Sequence, residues 1–259
     1  MKNIVKQLGI ILIILIIGFS MTACPDVDDS NNGNNNNSSN PAAGISTLNL
    51  SGKVQIQGEF NEATNTVAYS EYAGSDLTFN DSENNLGVTG TVTNGNLSYS
   101  VGTPPAGELD TFDEEFVYFF SWYDDITLSK TSVKGYLLHN FNVAGGSNAS
   151  ISRSLASGNL GDNTFSQTEE YAGYIYVNND ITVTGTGGTD VSNSIYGPYT
   201  TTWNNLNLAF KTGWNVLHMK RTYTTTFTGT FSAPTITSVT DTVTCSLSNP
   251  NSLKWVLED

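Results

Sequence analysis

From Leu48 onward apolar residues recur at every second position in short runs, and no long segment carries a helical period. A period of two puts successive side chains on opposite faces of a strand, so the pattern confines the chain to β structure. Gly, Asn and Pro bound the runs, as expected of many short strands joined by turns. Thr, Ser, Asn and Tyr are abundant and only 13% of residues are charged, a composition that suits half-buried pleated surface. The class read from this pattern is all-β, and the architecture expected is an antiparallel β-sandwich.

Asn94-Gly95 is the sharpest local signal. Both residues tolerate positive φ, which a two-residue type I′ turn requires, so the flanking runs pair as a hairpin. Val88 and Val92 then share one face, as do Leu97, Tyr99 and Val101 on the partner. Upstream, Leu48, Leu50, Val54, Ile56 and Phe60 read as one or two strands. Downstream, residues 115–122 are nearly continuously apolar, and Val133, Leu137, His139, Phe141 and Val143 fall on one parity, so both read as central strands. Ala144-Gly145-Gly146-Ser147-Asn148 breaks the pattern. It resumes at Tyr174 to Val177, turns at Asn178-Asn179-Asp180, and continues through Ile181 to Thr184, then Leu206 to Phe210 and Trp214 to Met219. A boundary at the break gives two β-sandwich domains, 45–143 and 144–259, each near the usual domain size.

The amino-terminal end follows different rules. Lys2 and Lys6 precede an apolar run from Leu8 to Phe19, and Met21-Thr22-Ala23-Cys24 comes next. A basic segment, an apolar stretch and small residues before a cut make a secretory signal. A membrane-spanning helix needs about 20 apolar residues, and this run has 12. The segment resembles the signal peptide and lipobox of bacterial lipoproteins, with Met21 where Leu is usual. The resemblance implies removal of residues 1–23 by cleavage between Ala23 and Cys24, and lipidation of Cys24 by palmitate-type acyl chains. Stable anchoring takes about two such chains, so the membrane would be the first partner. Residues 24–44 then form a tether: the Asn-rich tract from Asn31 to Asn40 has no apolar side chain to offset its ordering entropy. In lipoproteins an Asp directly after the lipidated Cys favours the inner membrane; Pro25 stands there, which points to the outer membrane of the cell envelope. Lys211-Thr212-Gly213-Trp214-Asn215 and Leu253-Lys254-Trp255 also resemble segments of uncharacterised envelope lipoproteins.

Charge narrows the partners. Losing residues 1–23 removes Lys2 and Lys6 and no acid, so the formal net charge moves from −14 to −16. Such a surface repels phosphate backbones, and no nucleic acid is expected as partner. Once Cys24 carries lipid, Cys245 is the remaining thiol; it alternates with Val239, Val243 and Leu247 and reads as a small core residue.

No basic residue lies between Lys53 and Lys130, and Asp110, Asp113, Glu114, Glu115, Asp124 and Asp125 crowd one part of that segment. Calcium takes six to eight oxygens from carboxylates and carbonyls, so the cluster is a candidate Ca2+ site. A solvated acidic loop is the plainer account, since the spacing matches no known ligand pattern. His139 and His218 both sit at apolar parities and read as core histidines. No Gly-x-Ser-x-Gly elbow, Ser-x-x-Lys, Walker loop or zinc-ligand spacing occurs, and no catalytic residue is assigned. Tyr199 and Trp203, in a segment rich in Thr, are the candidates for an aromatic binding patch. Alternating threonines from Thr224 to Thr230 could face ice or another sheet, although Thr on a solvated strand is ordinary. The function expected is a membrane-anchored envelope lipoprotein with a non-catalytic ectodomain for binding or adhesion to a protein or glycan. The alternative is a carbohydrate-active module, either a glycan-binding domain or a carboxylate glycosidase.

Overall fold

The hairpin expected around Asn94-Gly95 forms, with φ of 51° and 71° at the two turn residues. The computed structural model describes residues 43–61, 66–74, 77–81, 86–113, 125–139, 141–144, 150–194, 197–230, 233–250 and 252–258. In these residues the strands are β1 (Ala43–Ile45), β2 (Leu48–Asn61), β3 (Thr66–Glu71), β4 (Leu77–Asp81), β5 (Thr89–Thr93) and β6 (Asn96–Val101). Then come β7 (Asp110–Thr111), β8 (Thr127–Leu128), β9 (Lys134–Leu138), β10 (Phe141–Val143), β11 (Ser150–Leu160) and β12 (Thr164–Val177). The series ends with β13 (Ile181–Gly185), β14 (Gly188–Ser194), β15 (Gly197–Trp203), β16 (Leu206–Phe210), β17 (Gly213–Thr230), β18 (Ala233–Leu247) and β19 (Lys254–Glu258). One short 3-10 turn spans Ala106–Glu108, and among the described residues no helix is long and apolar enough to cross a membrane.

The all-β class holds, but the layering differs from facing antiparallel sandwich sheets. Strands β10, β4, β5, β6, β2, β19 and β11 follow one another by hydrogen bonding, and β10 pairs back onto β11 to close a seven-stranded barrel. Closure leaves no open edge on that ring, which solves a problem that short strands otherwise face. Two ladders are parallel: β19 runs beside β2, with Trp255 opposite Val54, and β15 runs beside β18. The barrel draws strands from both sides of residue 144, and the turn-rich break at residues 145–149 lies outside the described residues.

Alternation builds the barrel core. β6 buries Leu97, Tyr99 and Val101 and exposes the residues between them, and Leu48, Leu50, Val54, Phe79, Val92, Phe141, Ile151 and Trp255 fill the same interior. Phe79 stacks on Tyr99 at 5.8 Å, and Phe141 meets both edge-on at 5.1 and 5.0 Å. Such pairs add about 0.5–1.5 kcal/mol each beyond area burial. A Cβ on Gly90 would sit 2.2 Å from the Phe79 ring, so glycine there makes room for the ring.

Beyond β11 the sheet continues through β12, β17, β18, β15 and β14. One half of β12 is buried on both faces from Ala172 to Val177. Tyr174 and Tyr176 join the barrel-side cluster with Trp214 and Val216, while Ile175 and Val177 join a second cluster. A small sheet of β16, β13 and β8 covers that second face with Ile181, Val183, Leu206, Leu208 and Phe210. The single face expected for Val133, Leu137, His139, Phe141 and Val143 splits: Val133 and Leu137 pack in the second cluster, Phe141 and Val143 in the first. The chain ends β9 at Leu138 and restarts β10 at Phe141, which resets the alternation. The apolar run 115–122, expected as a central strand, lies outside the described residues.

Candidate functional site

Two features stand out where β12, β17, β18 and β15 run side by side, one on each face of the sheet. On the face shared with the second cluster, Arg221 of β17 and Asp241 of β18 make a buried ion pair, 8% and 0% exposed. Arg221 Nε donates to both Asp241 oxygens at 3.0 Å, and an Nη donates to Oδ2 at 2.6 Å. Tyr199 of β15 also donates its hydroxyl to Oδ2, at 3.1 Å. The guanidinium lies 4.2 Å from the centroid of the Tyr223 ring. Burial alone would lower the Arg221 pKa, but the Asp241 hydrogen bonds and charge outweigh it and hold the group above its ordinary value. Burial likewise pushes the Tyr199 and Tyr223 phenols upward, so both stay protonated.

Glu169 on β12 stands opposite Arg221 in the ladder. It is 8% exposed, accepting from the Tyr171 hydroxyl at 2.7 Å and the Gln167 amide at 2.8 Å. Burial raises its pKa from the ordinary 4.5; Tyr171 and the Arg221 charge pull the other way without cancelling the rise. A raised carboxyl pKa contributes stability that is complete below about 4.5 and lost as pH climbs through the folded value. E169Q is therefore expected to melt higher than the native chain at pH 7 and to lose the decline between pH 4.5 and 7, as read by thermal melts across that range. An unchanged pH profile in the variant would show that Glu169 does not carry the effect.

Chemically the row spends its charges on itself. Arg221 and Asp241 saturate one another, and the network ties four strands whose one-residue slip would turn buried charge outward. The residues were legible only indirectly: Arg221 sits between Met219 and Tyr223, and Asp241 between Val239 and Val243, so opposite charges occupy buried parities 20 residues apart. That parity conflict was the available signal.

The other face is different. Ser157, Thr168, Thr222, Thr242, Thr202 and Thr189 align as one cross-strand row. Asn159, Ser166, Thr224, Thr240, Thr200 and Val191 form the next. All twelve are exposed or half-exposed, and none is charged or aromatic. At the end of this face His218 meets Glu170 at 3.0 Å, and Lys220 reaches the same carboxylate at 3.4 Å. His218 is therefore held by an acid on a half-buried face rather than enclosed among apolar side chains alone.

The residues anticipated from the sequence are scattered. Tyr199 is committed to Asp241, and Trp203, also on β15, packs against the second cluster. Trp214 and Trp255 are 0% and 1% exposed, and Trp122 lies outside the described residues. Asp110 is exposed on β7, Asp113 is half-buried, and Asp125 is exposed and accepts from the Thr186 amide at 3.1 Å. The Thr186 hydroxyl, and after it this amide, lower the Asp125 pKa. Glu114, Glu115 and Asp124 lie outside the described residues, as do Ala23, Cys24 and the tether up to residue 42. Among the described residues no three His, Cys, Asp or Glu side chains gather where a metal could sit. Cys245 packs with the second cluster, and burial pushes its thiol up to about 12, far from a reactive thiolate. Burial lowers the pKa of His139.

Lys211-Thr212-Gly213-Trp214-Asn215 proves to be a structural corner. Asn215 Nδ2 donates to the carbonyls of Lys211 and Gly213 at 2.7 and 2.9 Å, and its Oδ1 accepts from the Lys211 amide at 2.8 Å. Asp180 caps the same corner: the Thr212 amide, with Lys211 and the Thr212 hydroxyl, holds its carboxyl down at about 2. Trp214 donates its indole N–H to the Gly102 carbonyl at 2.9 Å, joining β17 to the barrel. No family model, curated protein or solved structure matches the chain.

Proposed function

We propose that the chain is a lipid-anchored lipoprotein of the bacterial cell envelope whose β ectodomain works by binding or adhesion and not by catalysis. The observation that carries the anchor is Thr22-Ala23-Cys24 behind a 12-residue apolar run, with Lys2 and Lys6 before it. Residues 1–23 act as the signal, Cys24 takes the acyl chains, and the Asn-rich tract spaces the folded part from the bilayer. Strand β1 claims Ala43 and Gly44, so the tether ends at Ala42, and as a flexible coil its 18 residues from Pro25 reach about 23 Å. Pro25 after the lipidated Cys supports the outer membrane as the destination. The non-catalytic reading draws support from the Arg221, Asp241 and Tyr199 contacts, in which the buried ion pair and the Tyr199 hydroxyl bond to one another. The carbohydrate-active alternative leans on Trp203 and Tyr199, because Trp214 and Trp255 are enclosed.

Metabolic labelling with a palmitate analogue tests the anchor. Label is expected on the native chain and absent from Cys24→Ala, which should also leave the membrane fraction. Equal labelling of both proteins would end the lipoprotein reading.

A further inference from the structure

We draw no further inference here: the strongest candidate, the edge strand β14 at the end of the outer sheet, exposed from Thr189 to Asn193 with Val191 among them, presents backbone groups that an added strand could pair with, but nothing in the structure shows what covers it.

Discussion

Replacing Asp241 with Ala is expected to destabilise the fold by about 3–5 kcal/mol, because it strands the Arg221 guanidinium in a buried site without its counter-ion. The loss goes beyond one contact. Three guanidinium hydrogen bonds and the Tyr199 hydroxyl bond all end on Asp241. For a chain of this size the change corresponds to a fall of about 6–20 °C in Tm, at roughly 2–4 °C per kcal/mol. Removing both charges should cost less than removing one, since a buried pair replaced by apolar side chains of similar volume is often neutral. Arg221→Met with Asp241→Leu is therefore expected to melt above Asp241→Ala. Chemical denaturation of the three proteins measures the comparison, and a loss below about 1 kcal/mol in Asp241→Ala would mean that water already compensates Arg221, as it does for exposed pairs.

Trp255→Ala should rank beside it, at about 3–5 kcal/mol, the range for deleting a large aromatic from a core. Trp255 is 1% exposed on β19, lies 6.1 Å from the Phe141 ring, and donates its indole N–H to the Ser51 carbonyl at 3.1 Å. It thus fastens β19 to both β2 and the barrel interior, where β19 bridges β2 and β11. Near-ultraviolet circular dichroism should lose aromatic signal together with the fall in Tm. Val191→Ala supplies the contrast: Val191 is 66% exposed, and a surface change of that kind stays within about 0.5 kcal/mol. Similar losses at the two positions would show that the Trp255 ring is not enclosed as described.

Local features were legible in the sequence and long-range ones were not, for a physical reason. The Asn94-Gly95 hairpin, the end of β12 before Asn178 and the corner from Lys211 to Asn215 depend on residues within a few positions of one another. Alternation reports which parity is buried but not which strand lies alongside. The pairing of Trp255 with Val54, and of Phe141 with Ile151, is set by tertiary packing, and these pairings close the ring that replaced the expected sandwich. The same limit hid the Arg221 and Asp241 pair, because each charge reads alone as an exception to its strand. The threonine run on β17 was visible as a stripe; that β18 and β15 extend it into a two-dimensional face emerged from register. The proposed lipidation of Cys24 is the converse case, a reading carried wholly by local sequence.

The central claim is that Cys24 becomes the lipidated first residue of the mature protein, and intact-mass spectrometry of the chain extracted from a bacterial envelope measures it most directly. The lipoprotein reading predicts a protein lacking residues 1–23, heavier than the Cys24-initiated polypeptide by a diacylglyceryl group and an amide-linked acyl chain, with the added mass on the peptide that contains Cys24. A mature protein that retains Met1, or begins at another residue with an unmodified Cys24 thiol, would contradict it.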